Sequence, residues 1–193
     1  MVKIENSKRT ILNLAESLLQ DKGFNGFSYA DIASELGVKN AAIHYHFASK
    51  ETLGIAVIQR YRERFKLWIN NARVKDLSSE EKLDWFFSIY SDFRADNGKV
   101  CLVGSLEVEF NSIPEGLRKE VESLNREMLV WLEATLSEGR EAGAFRFNGS
   151  PASKAALIYS SVQGALQMAR ALGTKKFRDV VEQNKQDVLR SEE

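Results

Sequence analysis

The stretch "GVKNAAIHYHF", residues 37–47, decides how this chain folds. It carries both histidines of the protein, and its tail runs Ile43, His44, Tyr45, His46, Phe47. Apolar residues alternating with polar ones are the pattern of a half-buried strand. A strand here would stand alone, because valine, isoleucine and threonine form no alternating run elsewhere. On a helical wheel at about 100° per residue the same side chains sort differently. Ile43 and Phe47 share one side with His46 at its edge, Ala41 and Tyr45 point away, and Ala42 and His44 flank them. The helical reading also argues against a metal site. His44 and His46 diverge by about 200° and cannot chelate one ion.

Working outward, Ser28-Tyr29-Ala30-Asp31 places a carboxylate three residues after a serine, a helix-capping pattern. That short helix turns Ile32, Ala33 and Leu36 inward and stops at Gly37. A second short helix follows after a tight turn. Ala33, Gly37 and Ile43 then meet the needs of a helix-turn-helix: a small residue at the crossing, a glycine free to take positive φ, an aliphatic plug in the angle. Upstream, Ile11, Leu14, Ala15, Leu18 and Leu19 make one apolar helical face that ends at Gly23. Downstream, Ser49 caps a fourth helix, with a stripe of Leu53, Val57, Tyr61 and Phe65 extended by Trp68. The face holding Ala41 and Tyr45 suits a DNA major groove. Alanines allow close approach, and polar tips reach bases or phosphates.

Residues 8–57 resemble the DNA-binding domain of the TetR family of transcriptional regulators, on the landmarks "LLQDKGF", "DIASELGV", "IHYHF" and "SKETL". "CLVGSLEVEF" is similar to a segment of the C-terminal domain of some members. The resemblance implies an all-α homodimer, usually a repressor, that binds operator double-stranded DNA and is released by a small-molecule effector. It implies a helix-turn-helix DNA-binding domain at residues 1–50 and a larger helical ligand-binding and dimerisation domain at 51–193. Position by position, it gives Ser28 and Tyr29 contacts to phosphate or base, and Lys39, Asn40, Ala41 and Ala42 the opening of the recognition helix. The family often has serine or threonine at Lys39 and Ala42, so Asn40 is the candidate cap, and the Ala42 methyl can touch a thymine. His44 stands where the family very often has tyrosine, leaving Tyr45 as the candidate for that phosphate contact. Lys50 matches the family lysine that opens the fourth helix.

The bulk composition sets limits. The chain has 193 residues, 44% of them hydrophobic and 28% charged, with a formal net charge of zero. Residues 1–55 carry six basic and six acidic side chains. DNA binding must therefore rest on correctly spaced contacts rather than bulk charge. One cysteine, Cys101, permits no internal disulfide and fits a reducing compartment. The first residues contain no apolar leader and no run is long enough to span a bilayer, so a cytoplasmic protein with no membrane partner is expected.

The remainder reads as helices. Ser78 and Glu81 form a capping box ahead of an aromatic helix that Gly98 ends. Pro114 opens a long helix stopped by Gly143, Ser150-Pro151 opens another, and Gly173-Thr174 sets off the last. Trp85, Tyr90, Phe93, Cys101, Ser105, Trp131, Tyr159 and Gln163 are candidates to line an effector pocket, the alternative being plain core. Glu107 and Glu109 are expected to face solvent, and either one buried would point to a cationic or hydrogen-bonding ligand. Ala155, Tyr159, Val162, Leu166 and Ala169 share a face among small residues; close packing inside the subunit is one reading, and the resemblance favours a dimer interface built as a four-helix bundle. No catalytic constellation, cofactor loop or metal-ligand spacing is present, so no enzyme and no cofactor are expected. A thiol-based redox sensor or an enzyme using Cys101 is the alternative function.

Overall fold

A computed structural model of the chain describes residues 4–92 and 101–189. These residues form α-helices and no strand: α1 (Ile4–Lys22), α2 (Tyr29–Leu36), α3 (Asn40–His46), α4 (Lys50–Ile69), α5 (Ala72–Lys75), α6 (Ser79–Asp92), α7 (Leu102–Val108), α8 (Glu115–Glu141), α9 (Pro151–Leu172) and α10 (Thr174–Leu189). The all-α class follows the sequence reading. Phe93 and Gly98 lie outside the described residues.

Local chemistry explains the boundaries. At α2 the capping box is complete: Ser28 N donates to Asp31 Oδ2 at 2.7 Å, and Asp31 N donates to Ser28 Oγ at 3.4 Å. The helix ends on Gly37 at φ 64°, the left-handed region that a side chain makes costly. Ser49 Oγ accepts from Thr52 N at 3.1 Å ahead of α4. Ser78 and Glu81 exchange bonds of 2.8 and 3.2 Å ahead of α6. Ser150 Oγ accepts from Ser153 N at 3.1 Å ahead of α9, with Pro151 at its first position. The cap expected at Asn40 is not made. Asn40 is already inside α3, and Lys39 precedes the helix in extended conformation with no side-chain bond. The single turn α5 was not expected. Asn71 Oδ1 starts it by accepting from Arg73 N at 3.0 Å.

The chain divides into two compact units. One holds the residues up to Lys66 together with Leu102–Leu124, and the other holds Leu67–Cys101 together with the residues from Asn125 onward. In the first, Ile11, Ala15 and Leu19 of α1 meet Ile32 and Ala33 of α2, Ile43 of α3, and Leu53, Val57 and Ile58 of α4, all at most 5% exposed. Helix α7 packs on α1 and contributes Leu102, Val103 and Leu106, while the start of α8 adds Leu117, Val121 and Leu124. Arg60 pairs with Glu16 and also bonds Asn13 Oδ1 at 2.8 Å, tying α4 to α1. Arg62 pairs with Glu120 on α8.

In the second unit α9 and α10 pack along each other, and Asn184 Nδ2 donates to Ser161 Oγ at 2.9 Å across them. Phe86, Phe87 and Tyr90 of α6, Leu132 and Leu136 of α8, and Ile158 and Val162 of α9 fill the interior. Phe145 closes the α8–α9 turn against Gly139, where a Cβ would stand 2.1 Å from the ring. No described helix is long and apolar enough to cross a membrane.

Candidate nucleic-acid interface

Helix α3 buries one side chain, Ile43, at 0% exposure. Its plug role explains the outward face: with Ile43 fixed, Ala41, Ala42, His44 and Tyr45 are all exposed, as are Lys39 and Asn40 at its start. Tyr45 is 79% exposed, and Val38 beside the turn 44%. The Tyr45 ring is therefore open to solvent over most of its surface. The His44 ring meets Tyr29 edge-on at 4.8 Å, and its Nδ1 lies 3.3 Å from the Ala48 carbonyl, a bond that requires the proton on Nδ1. His46 stacks edge-on against Tyr45 at 5.1 Å and is half-buried.

Behind α3, Ser28 is exposed at the start of α2, whereas Tyr29 is buried. The Tyr29 hydroxyl donates to the Phe47 carbonyl at 3.1 Å, and burial pushes its pKa up to about 12. Tyr29 thereby fixes the end of α3 from the inside.

The Lys50 ammonium turns inward as well. It donates to the Phe27 carbonyl and lies over the rings of Phe24 and Phe27 at 4.7 and 4.4 Å. Burial lowers its pKa, with Glu109 and then Asp31 pulling the other way. One of its three N–H donors is thus spent on Phe27.

Sequence reasoning named Glu109 but not its role. It neither faces solvent freely nor waits for a ligand: its carboxylate accepts from the backbone N–H of Phe24 and of Asn25, the latter at 3.2 Å. The available signal was an acidic residue just past a short apolar helix.

In the second unit, four of the candidate pocket residues gather around Phe86, which sequence reasoning did not single out. Tyr90, Trp131 and Tyr159 have ring centres 5.3, 6.3 and 6.3 Å from it, and Trp85 meets Trp131 edge-on at 5.7 Å. Trp68 lies face to face with Trp85, the planes 4° apart. Tyr159 donates to Asn125 Oδ1 at 2.7 Å. Gln163 Nε2 is buried with no hydrogen-bond partner among the described residues. Cys101 is buried, and Ser105, in the first unit, spends its hydroxyl on the Leu102 carbonyl at 2.8 Å.

Of the residues expected at a dimer interface, Ala155, Tyr159, Val162 and Leu166 are buried inside the subunit and Ala169 is half-buried. Leu157, Met168 and Leu172 are exposed instead, by 55%, 43% and 65%. At about 100° per residue these three lie within about 60° of one another, opposite the buried set.

Comparison with known proteins agrees with this geometry. Residues 11–57 match the family described as bacterial regulatory proteins, tetR family, and residues 79–184 match the tetracyclin repressor-like C-terminal domain. A TetR-family transcriptional regulator from Agrobacterium tumefaciens superposes with a TM-score of 0.90 at 28% identity, covering 97% of this chain and 100% of that one. An uncharacterised regulator of helix-turn-helix type in the lacX 3′ region of Lactococcus lactis subsp. lactis is 29% identical over 175 residues, 86% of this chain and 85% of its own. The helix-turn-helix transcriptional repressor DhaR of Mycobacterium sp. strain GP1 is 25% identical over 148 residues, 76% of this chain and 73% of its own. With both halves matched and a protruding reading helix in place, the chain belongs to the TetR family and is a DNA-binding transcriptional regulator rather than an enzyme.

Proposed function

We propose that the protein is a ligand-responsive repressor that binds a near-palindromic operator as a homodimer. The observation that carries this is α3, which hides Ile43 and holds Ala41, Ala42, His44 and Tyr45 outward. Each α3 enters one major groove, and the half-sites lie about 34 Å apart or somewhat more. Exposed Ser28, Lys39 and Asn40 flank the groove-facing side chains. Lys50 faces phosphate with the N–H donors it does not spend on Phe27, beside the backbone N–H groups and dipole at the start of α4. The sign of regulation, repression, is supported by the relative DhaR, itself named a repressor.

Residues 1–50 do the reading, and 51–193 carry effector binding and dimerisation, although Leu102–Leu124 cluster with the reading unit. The two-fold contact runs along the outer face of α9, where Leu157, Met168 and Leu172 are exposed and a Cβ at Gly164 would meet nothing within 4 Å. The effector binds among the aromatic side chains around Phe86. Support comes from Gln163, because an unsatisfied buried amide costs about 1–3 kcal/mol that an acceptor on a small molecule would recover. Release from DNA needs the effector to favour the non-binding state by a few kcal/mol.

A gel-shift titration against fragments of the source genome tests the reading. The protein should select one or a few fragments over a large excess of random duplex. Tyr45→Ala should weaken that selected complex by about tenfold or more, on the scale of 1–3 kcal/mol for a groove contact, with unchanged thermal stability. No selectivity by the parent protein, or an unchanged complex with Tyr45→Ala, sinks it.

A further inference from the structure

We infer that Glu109 is a positioning residue for DNA reading: its carboxylate pins the entry of the α2–α3 helix pair to the end of α7. This rests on the DNA-reading function proposed above. The first pin is at the α1–α2 turn. Glu109 accepts from the N–H groups of Phe24 and Asn25, and Asn25 Nδ2 donates to Ser112 Oγ at 2.9 Å beside it. Gly23 makes room for this: it sits at φ 76°, and a Cβ there would stand 2.8 Å from Glu109 Oε2. Phe27 is buried and leads directly into the Ser28 cap of α2.

The second pin, at the far end of the pair, is made by Lys50 and not by Glu109: the first residue of α4 donates to the Phe27 carbonyl between the Phe24 and Phe27 rings. The chain from the end of α3 to Lys50 is only Phe47, Ala48 and Ser49, and Phe47 is held by Tyr29. One carboxylate therefore holds the segment that enters α2, and that segment in turn holds the residue that opens α4 after α3.

The placement is not what local structure would choose. A negative charge just past the C-terminal ends of both α7 and α1 opposes both helix dipoles. Two backbone N–H bonds and the Lys50 charge compensate, so the arrangement exists through tertiary contacts alone. Selective binding needs two reading helices at a fixed spacing, whereas non-selective binding needs only charge. Loosening Glu109 should therefore cost selectivity in particular.

The test uses the full-length protein and its selected duplex, with Glu109→Gln compared with the parent by fluorescence anisotropy. Active fraction comes from stoichiometric titration, and binding to a random duplex of equal length is measured at low salt. The expected result is about a tenfold weaker selected complex, with active fraction unchanged and random-duplex binding within about twofold. Backbone amide exchange at Phe24 and Asn25 should accelerate in the same variant. A ratio of selected to random binding within about twofold of the parent overturns the inference. So does a loss that appears wholly as reduced active fraction. If Glu109→Gln does not fold, Glu109→Asp carries the test, since it keeps the charge but draws the carboxylate back from the Phe24 and Asn25 N–H groups: about a threefold loss of the ratio supports the inference, and no loss overturns it. A parent protein that selects no duplex defeats the function proposed above, a different outcome from a selective parent with an unaffected variant.

Discussion

Tyr29 and Asp31 stand two residues apart and respond to opposite ends of the pH scale. The Tyr29 hydroxyl is buried, with its pKa raised to about 12 from an ordinary 10.0. A group whose folded pKa is raised contributes stability that is whole below its unfolded pKa and is lost as pH climbs through the folded one. Stability should accordingly fall between about pH 10 and pH 12. Tyr29→Phe removes the bond to the Phe47 carbonyl and should cost about 0.5–1.5 kcal/mol at neutral pH, while making the alkaline loss shallower. Urea unfolding at a series of pH values measures both, and an equally steep loss in the variant would exclude Tyr29 as its source. Asp31 runs the other way. Its bonds from the Ser28 side chain and backbone lower its pKa, so its contribution holds above the unfolded value and fades as pH falls through the folded one. The Ser28–Asp31 box was legible because capping is local in sequence. The inward turn of Tyr29 and Lys50 was not, since it depends on Phe47 and Phe27, 18 and 23 residues away.

Two glycines separate two ways in which a helix boundary can resist substitution. Gly37 ends α2 at φ 64°, and a Cβ added there meets nothing within 4 Å. Gly37→Ala should cost only the backbone strain, about 1–2 kcal/mol. Gly139, inside α8, has ordinary helical backbone, but a Cβ would collide with the fully buried Phe145 ring. Gly139→Ala should cost about 1–3 kcal/mol through forced repacking. Replacing Phe145 by Leu in the same chain should recover part of that loss, whereas Phe145→Leu should do nothing for Gly37→Ala. Thermal unfolding of the singles and doubles checks this, and rescue at both sites would refute the distinction. At this scale the long helices could be read from their apolar period and their Ser, Pro and Gly punctuation. Helix α5 could not, because four residues give no period to detect. The role of Glu109 was missed for a related reason. Sequence spacing shows what a helix can bury against itself, but not which distant N–H groups its last residue will meet.

For the whole molecule, α9 shows how far a periodic pattern reaches. Ala155, Tyr159, Val162 and Leu166 recur as an apolar face should, and the subunit buries them in its own interior. The period identifies a face that must be covered; it does not say whether the same chain or another copy covers it. The apolar stripe that α9 leaves exposed, Leu157, Met168 and Leu172, is the proposed partner face. With the two-fold contact proposed along this face, Met168→Glu brings like charges together there and should shift the chain towards monomer. Sedimentation velocity at micromolar concentration should show this, together with at least tenfold weaker selected-duplex binding at nanomolar concentration. A dimer as tight as the parent's would move the contact elsewhere.

Helix α3 gives a single side chain to the interior and is closed by no side-chain cap at its start. The residues proposed to discriminate one base sequence from another thus lie outside the buried core. Such a segment can drift towards new targets without first unlearning its architecture. Regulators of this build can diverge in what they control much faster than in how they are made.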